Sequence, residues 1–302
     1  MKKISGIIAA PFTPFNQDHQ VDYERIEMFA QLLKRNQADG AFICGTTGES
    51  SSLSHQEKIR IFESWSNHRH AGLQLIAMLG GTCLEEMKEL AVVAANLGLD
   101  GISILAPYYL KPNLDQLIEV CAQVAASAPD LPFFYYHIPS LTGAYFSMRV
   151  FLEKAEAQIP NLAGIKYTHS DLMDFSLCKM HRDGYYSMLW GSDEILLSGL
   201  VAGADGAVGS TYNYALPLYQ EIIKNFNLGN IPEAAALQKL SMKMVDLLMK
   251  HGGNRAGKGF MKIIGVDCGP CRLPLTSLTN EQISQLEADL HEINFPEFCS
   301  KF

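Results

Sequence analysis

Residues 38–45 read ADGAFICG, in which an Asp-Gly pair stands directly before a short apolar run. The same pair precedes apolar runs at Leu99-Asp100-Gly101 and at Ala204-Asp205-Gly206. The first and second copies lie 61 residues apart, and the second and third lie 105 residues apart. Two and four units of about 26–30 residues, each a strand followed by a helix, fit into these gaps. Asp-Gly is a common turn pair, but the shared context of the three copies favours a repeating strand–helix chain over chance.

Eight apolar runs occur along the chain, and they predict eight buried strands. Within each run the apolar residues are successive, as is typical of parallel strands covered on both faces. Helix-like stretches separate the runs, including residues 22–36 and a helix that opens with the capping box Ser54–Glu57. The runs are residues 6–12, 41–45, 74–81, 101–107, 132–139, 163–168, 187–192 and 206–211. The pattern predicts an α/β fold, a (β/α)8 or TIM barrel, for which 302 residues are sufficient.

The last quarter of the chain lacks a further convincing strand. Residues 231–248 and 279–293 have helical apolar spacing, and no Ser/Gly-rich linker precedes them. We therefore expect a (β/α)8 barrel in residues 1–228 and a C-terminal helical extension, packed on the barrel, in residues 229–302.

Composition and net charge argue against some classes of binding partner. The chain is 48% hydrophobic and 19% charged, which is typical of a folded globular protein. Its net charge of −8 argues against nucleic acid and anionic membranes as partners. No apolar run is long enough to span a bilayer, and Pro11 and Pro14 interrupt the N-terminal run that could resemble a signal peptide.

The cysteines point to a reducing compartment. There are seven, an odd number, and the one close pair, Cys268-Gly-Pro-Cys271, lacks a thioredoxin-like context or a second pair. We expect reduced thiols in a cytoplasmic protein. His137, His169 and His251 are interpreted as pocket walls or core groups, because their spacing does not match a zinc site.

Lys166 is the first candidate for chemistry. It lies within the apolar run 163–168, at the carboxyl end of a predicted strand, where active sites of such barrels form. A lysine at a strand end usually reaches into solvent. Burial would instead lower the pKa of the amine, and a neutral amine can attack a ketone to form a Schiff base. The resulting iminium is an electron sink that requires no cofactor.

Two further candidates accompany Lys166. Tyr136 could act as a general acid or base, although an aromatic core role is the ordinary alternative. Tyr135 and Tyr136 must point to opposite faces of the strand, so only one can face the barrel axis. The loop GTTGES, residues 45–50, offers backbone N–H groups and threonine hydroxyls to a carboxylate or phosphate, although it could be a plain turn.

Four motifs together resemble one family. GTTGES at 45–50, Tyr-His-Ile-Pro at 136–139, Gly-Ile-Lys at 164–166 and GSTYN at 209–213 resemble the N-acetylneuraminate lyase and dihydrodipicolinate synthase family of pyruvate-dependent class I aldolases. The resemblance runs from Gly6 to about Asn213 and continues more loosely into the helical tail. It implies a TIM barrel, a lysine Schiff base, a homotetramer, and neither a metal nor an organic cofactor.

The resemblance also implies roles for catalytic residues. Lys166 matches the Schiff-base lysine, and Tyr136 matches the tyrosine that moves a proton and contacts the pyruvate carboxylate. Thr46 and Thr47 match the pair that holds this carboxylate, and Thr47 joins the proton relay. Tyr109 matches a tyrosine that reaches into the site of a neighbouring subunit.

Residue 141 separates two branches of the family. Dihydrodipicolinate synthases carry an arginine at this place, whereas Leu141 cannot make a bidentate contact with a carboxylate. Sialic acid lyases carry leucine there. The residues that match their contacts to the sugar tail are Thr168, Gly191, Asp193, Glu194 and Ser210. Paired carboxylates suit sugar hydroxyls, although acidic residues also favour a helix start.

The activity implied is the reversible aldol cleavage of N-acetylneuraminate to N-acetylmannosamine and pyruvate. Its partners would be small molecules, namely sialic acid and pyruvate. Three alternatives stay open: cleavage of another 2-keto-3-deoxy sugar acid, condensation of pyruvate with aspartate semialdehyde, and a non-enzymatic sensor of keto acids or sugars. Leu141 argues against the condensation, and the joint presence of Lys166 and Tyr136 argues against the sensor.

Overall fold

Eight parallel strands close into a barrel in the computed structural model, which describes residues 3–302. Each strand pairs with its neighbours in chain order, and β1 also pairs with β8 to complete the ring. The strands are β1 (Gly6–Ala9), β2 (Gly40–Ile43), β3 (Gln74–Gly80), β4 (Gly101–Leu105), β5 (Phe133–His137), β6 (Leu162–Tyr167), β7 (Ser187–Trp190) and β8 (Gly206–Gly209). The predicted (β/α)8 barrel is confirmed.

Helices follow the strands and surround the barrel. Those of the barrel are α1 (Ile26–Arg35), α2 (His55–His68), α3 (Leu84–Asn96), α4 (Leu114–Ala126), α5 (Pro139–Thr142), α6 (Met148–Ala155), α7 (Leu172–Met180), α8 (Leu196–Val201) and α9 (Tyr212–Asn227). Four more follow them: α10 (Ile231–Lys250), α11 (Asn254–Ile263), α12 (Asn280–Glu292) and α13 (Phe295–Phe298). The capping box is present at the start of α2, where Ser54 and Glu57 each accept a hydrogen bond from the other's backbone N–H.

Some strands are shorter than the apolar runs that predicted them. The first run was expected to extend over residues 6–12, but β1 ends at Ala9. The last run was expected to reach residue 211, but β8 ends at Gly209. The apolar or small residues beyond these strands are buried at the carboxyl end of the barrel, so burial extends further than the strand ladder does. Ala10 and Thr211 belong to this layer.

Two apolar cores lie on either side of the strands. The inner core fills the barrel, and the outer core lies between the strands and the helices. Tyr136 belongs to the inner core and packs edge-on against Phe42, with ring centroids 5.7 Å apart. Tyr135 points outward and stacks on Phe151 at 4.9 Å. The prediction that the two tyrosines face opposite ways is confirmed.

The recurring Asp-Gly pairs have a common structural role at the amino end of the barrel. Each aspartate donates its backbone N–H to one residue of the preceding strand and accepts that residue's N–H with its carboxylate. We call this arrangement an aspartate clamp. The pairs are Asp39 with Ile7 (3.0 and 2.7 Å), Asp100 with Leu75 (2.9 and 2.8 Å), and Asp205 with Met188 (3.0 and 2.9 Å). The clamps explain why the aspartate recurs, because each ties the start of an even strand to its odd neighbour.

The helices after α9 lie against the barrel. The longest of them, α10, packs along α9, and Gln238 on α10 accepts a hydrogen bond from the backbone N–H of Leu197 at 2.7 Å. Near the end of the chain, Ser300 donates its N–H to the carbonyl of Tyr214 at 2.8 Å. None of the helices in residues 3–302 is long and apolar enough to cross a membrane. The seven cysteines are free, and Cys83 is the exposed one.

Candidate active site

A cavity of about 600 Å³ opens at the carboxyl ends of the strands. Its wall includes eight residues that the sequence motifs predicted: Thr46, Thr47, Tyr136, Lys166, Gly191, Asp193, Glu194 and Ser210. These residues come from loops and strands that are far apart in the chain. The barrel brings them together because parallel strands present all their carboxyl ends on one face.

Lys166 points into the barrel from the carboxyl end of β6. It lies in register with Tyr136 on β5 and with Leu189 on β7. Its Nζ is 4.0 Å from the ring centroid of Tyr136 and 4.1 Å from that of Phe42. Only 4% of the residue is exposed, and this burial lowers the pKa of the amine to about 7, against the opposing charge of Asp193. A substantial fraction of the amine is therefore neutral at neutral pH.

Tyr136 lies against this amine and is also buried. Burial raises the pKa of its phenol, and the hydroxyl groups of Thr46 and Thr168 beside it oppose the shift. The phenol is therefore protonated at neutral pH and needs a relay before it can accept another proton. Thr168 Oγ1 is buried beside this phenol.

Asp193 is fixed by its neighbours. Its Oδ2 accepts hydrogen bonds from the N–H of Thr211 at 2.9 Å and from Thr211 Oγ1 at 2.7 Å. Since that hydroxyl has one proton, the phenol of Tyr219, 2.8 Å away, must donate to Thr211. Burial raises the pKa of Asp193, and these hydrogen bonds oppose the shift. The role of Thr211 was not predicted, although it lies within the GSTYN motif.

Two glycines make room for these polar side chains. A Cβ on Gly209 would lie 1.7 Å from Asp193 Oδ1, and a Cβ on Gly191 would lie 2.0 Å from Thr168 Oγ1. Any side chain at position 209 would displace Asp193 from the cavity wall, and any side chain at position 191 would displace the Thr168 hydroxyl. Glu194 lies next to Asp193 on the same wall, and burial raises the pKa of its carboxyl group.

Hydrogen bonds to its backbone carbonyls hold the GTTGES loop in place. The carbonyl of Thr46 accepts the N–H of Glu49 at 3.1 Å. The carbonyl of Gly48 accepts a hydrogen bond from Thr13 Oγ1 at 2.7 Å. The carbonyl of Thr47 accepts one from Asn254 Nδ2 at 3.2 Å. These contacts leave the side chains of Thr46 and Thr47 in the cavity wall.

One face of α10 forms a wall that was not predicted. Met242, Val245, Asp246 and Met249 follow helical spacing and line the cavity. Met249 is 66% exposed and Met242 is 41% exposed, so this face borders the opening rather than the core. The only signal in the sequence was helical periodicity, which does not say what a helix face contacts.

Three of the predicted site residues, Tyr109, Leu141 and Thr168, are not part of the wall of this cavity. Tyr109 is 85% exposed and is not part of the wall formed by its own chain. Its role in a neighbouring subunit stays a prediction. Leu141 is 60% exposed and lines a separate cavity of about 360 Å³, which shares Thr46 with the first one.

The three histidines that were interpreted as structural lie in different surroundings. His137 is buried 5.0 Å from the ring of Tyr167, and burial lowers its pKa to about 4. His169 packs edge-on against His137 at 5.6 Å. His251 Nε2 is 2.7 Å from Asp289, away from the cavity wall. Within residues 3–302, no group of three or more His, Cys, Asp or Glu side chains is arranged to hold a metal ion.

Comparisons with known proteins agree on one family. The model of the dihydrodipicolinate synthetase family (DHDPS) matches residues 3–293. The N-acetylneuraminate lyase of Rattus norvegicus is 37% identical over 303 residues, covering 98% of this chain and 95% of the relative. The structure of the Proteus mirabilis N-acetylneuraminate lyase has a TM-score of 0.94 at 39% identity, and the match covers 97% of this chain and 100% of that one. A DHDPS from Cyanidioschyzon merolae has a TM-score of 0.89 at 29% identity, with 96% and 98% covered.

Proposed function

The chain belongs to the dihydrodipicolinate synthetase family, within which we propose that it catalyses the reversible aldol cleavage of N-acetylneuraminate to N-acetylmannosamine and pyruvate. It is a carbon–carbon lyase of the class I aldolase type. The observation that carries the proposal is Lys166, an amine buried at a strand end with its pKa lowered to about 7 and with Tyr136 beside it. The full-length similarity to N-acetylneuraminate lyases supports the choice of substrate.

The reaction starts with covalent capture of the open-chain sugar acid. Neutral Lys166 attacks the C2 ketone, and loss of water gives an iminium. Tyr136 accepts the proton of the C4 hydroxyl while its own proton passes to the substrate carboxylate, with Thr47 assisting. This relay is required because the pKa of Tyr136 is raised. The C3–C4 bond then breaks, and its electron pair moves into the iminium to form an enamine.

Turnover ends with protonation and hydrolysis. The C4 aldehyde leaves as N-acetylmannosamine, the enamine takes a proton at C3, and water cleaves the imine to release pyruvate and Lys166. In this scheme the hydroxyl and N–H groups of Thr46 and Thr47 hold the carboxylate. The sugar hydroxyls are held by Thr168, Gly191, Asp193, Glu194 and Ser210. Oxygen acceptors on Asp193 and Glu194 suit a polyhydroxylated chain.

The other activities are less well supported. Relatives of both kinds share the fold, so fold alone does not separate a lyase from a DHDPS. Leu141 lacks the guanidinium that would hold the carboxylate of an aspartate semialdehyde-derived substrate. A different 2-keto-3-deoxy sugar acid remains the rival substrate, because it would use the same lysine. A non-enzymatic sensor would not need the lowered pKa of Lys166.

Assembly and location belong to the same proposal. We propose a cytoplasmic homotetramer in which Tyr109 of one subunit approaches the cavity of another. The 85% exposure of Tyr109 supports this, since the side chain is free to contact a second copy. The division into a barrel, residues 1–228, and an extension, residues 229–302, is likewise a proposal, and α10 of the extension would complete the catalytic cavity.

Pyruvate release tests the proposal directly. Purified protein is supplied with N-acetylneuraminate, and pyruvate is coupled to NADH oxidation by lactate dehydrogenase. We expect release by the wild type and none by Lys166→Ala. If the wild type releases no pyruvate from N-acetylneuraminate but still forms a borohydride-reduced pyruvate adduct, the proposed substrate is wrong and the proposed aldolase chemistry stands. Absence of any trapped adduct would overturn the aldolase itself.

A further inference from the structure

Glu49, the fifth residue of the GTTGES loop, is an acidic side chain turned away from the cavity and buried. Its backbone is left-handed, with φ of 55°, which is uncommon for a residue with a side chain. The residue is only 4% exposed. A buried carboxylate needs a partner, because leaving it unpaired costs several kcal/mol.

The partner is Lys258 on α11. Its Nζ lies 2.8 Å from Glu49 Oε1, outside the ideal hydrogen-bond direction, so the contact is an ion pair. The side chains are 5% and 1% exposed. The same ammonium donates to the carbonyl of Pro270 at 2.7 Å and lies 4.4 Å from the ring centroid of Phe15. Glu49, Pro270 and Phe15 therefore hold the buried ammonium of Lys258 in position.

The other oxygen of Glu49 is also held from the C-terminal part of the chain. Glu49 Oε2 accepts the backbone N–H of Arg272 at 2.9 Å. The guanidinium of Arg272 is held in turn by Glu57 on α2 and by the carbonyl of Ser52 at 2.9 Å. Together with the bond from Asn254 to the carbonyl of Thr47, these contacts tie the loop to the segments around α11.

We propose that Glu49 and Lys258 are positioning residues for catalysis, which hold the loop so that Thr46 and Thr47 meet the carboxylate of the keto acid. This inference rests on the proposed aldolase function. Glu49 is two residues from Thr47, so a change in its left-handed backbone moves the threonine hydroxyl and N–H groups. A displacement of about 1 Å in groups that orient a substrate can cost on the order of 100-fold in rate.

Three variants separate positioning from simple stability. Lys258→Met leaves the buried carboxylate unpaired, and we expect the loop to shift and kcat/KM to fall about 10- to 100-fold. Glu49→Gln removes the counter-charge of the Lys258 ammonium, but it keeps an oxygen for the N–H of Arg272 and Lys258 still donates to the carbonyl of Pro270, so we expect a smaller loss. The double variant Glu49→Gln/Lys258→Met has no unpaired charge, and we expect it to recover part of the activity lost in Lys258→Met.

The control is an ion pair at the opposite end of the barrel. Lys179 pairs with Asp205, one of the aspartate clamps, away from the catalytic cavity. Lys179→Met removes a partly buried pair and is expected to lower the urea midpoint with kcat unchanged. If the Glu49 pair had the same structural role, Lys258→Met would behave in the same way.

The decisive readout is the pyruvate concentration needed for borohydride trapping on Lys166, measured together with kcat and the urea midpoint. A several-fold rise in that concentration for Lys258→Met, partly reversed in the double variant, supports the proposal. A wild-type concentration dependence and kcat in Lys258→Met and in Glu49→Gln would overturn it while the aldolase stands. If Lys258→Met does not fold, Glu49→Gln and the double variant decide. A wild type that traps no pyruvate contradicts the proposed function before the variants are compared.

Discussion

At the scale of single residues, Lys166 shows how a buried position makes a side chain reactive. An ammonium between the rings of Phe42 and Tyr136 has lost most of its hydration, which disfavours the charged form. The rings offer cation–π attraction, but the pKa still falls to about 7. Burial makes the amine more reactive, and the same burial lowers the stability of the folded protein.

This cost predicts that Lys166→Met is inactive but more stable than the wild type at low pH. The amine loses its proton near pH 7 in the folded protein and near pH 10.5 in the unfolded chain. Between these values the unfolded chain binds more protons, so the stability of the wild type rises with pH. Below pH 7 the burial cost is fully present. We expect the variant to gain about 1–3 kcal/mol in free energy of unfolding at pH 6, and progressively less towards pH 10.

Urea denaturation at pH 6 and pH 9.5 measures the gain. Lys243→Met, at an exposed position on α10, is the matched control and should show no such dependence on pH. A gain that is equal at both pH values, or a loss at pH 6, would contradict the assigned cause.

The sequence predicted the residues that line the cavity better than those that support them. Thr46, Thr47 and Lys166 line the cavity as expected, because the carboxyl ends of all the strands meet on one face of this fold. The hydrogen bonds of Thr211 to Asp193 depend on how the segments that follow the paired strands β7 and β8 turn toward each other. No local pattern encodes that approach.

At the scale of elements, the aspartate clamps join strands in pairs at the amino end of the barrel. Asp100→Ala leaves the N–H of buried Leu75 without its acceptor, and it removes a partly exposed contact with Arg69. We expect the free energy of unfolding to fall by about 1–3 kcal/mol, with kcat unchanged. Asp100→Asn keeps an acceptor oxygen and should lose less. Urea denaturation measures the change in stability, and the pyruvate assay measures kcat. A lower kcat per folded molecule would contradict the purely structural role of this clamp.

The helix α10 shows where prediction from sequence stopped. Its apolar spacing predicted a helix correctly, and the observed element ends at Lys250 rather than at residue 248. A face of methionine, valine and aspartate is compatible with a core, an interface or a cavity wall. Which one applies depends on the turn after α9, and turn geometry is poorly determined by composition.

Asp246 is the polar group on this face of α10. We expect its removal to weaken the binding of the sugar rather than that of pyruvate. We expect Asp246→Ala to raise the KM for N-acetylneuraminate about 3- to 10-fold through the loss of a hydrogen-bond acceptor. The pyruvate dependence of borohydride trapping should not change, because the proposed reaction places the keto acid end at Lys166. Lys239→Ala, at an exposed position of α10 outside the cavity wall, is the control. Equal effects on both measurements would argue against contact with the sugar.

At the scale of the whole molecule, an exposed apolar patch lies beside the carboxyl ends of β4 and β5. It consists of Tyr108, Tyr109, Leu110, Leu141 and Tyr145, and Lys111 packs close to Gly143 within it. Exposed aromatic and aliphatic groups in one region are typical of a contact with another protein surface. A second copy of the chain is the occupant that the proposed homotetramer requires.

Leu110→Glu is therefore expected to reduce the mass of the particle in light scattering and to lower activity at least about 10-fold as Tyr109 leaves the neighbouring cavity. Leu110 is 81% exposed, so the single subunit should remain folded. Leu228→Glu is the control, because Leu228 is 66% exposed at the end of α9. An unchanged mass for Leu110→Glu would exclude this patch as the interface.

The acidic side chains around the cavity also have a consequence for how fast a substrate arrives. Asp193, Glu194 and Asp246 line the cavity of a chain whose net charge is −8, whereas the proposed substrate, N-acetylneuraminate, is itself an anion. Long-range repulsion then slows diffusional encounter, and dissolved ions shorten its range to about 8 Å near physiological ionic strength. Added sodium chloride should accelerate capture of the sugar acid. Capture of uncharged N-acetylmannosamine in the reverse direction should be nearly indifferent to salt.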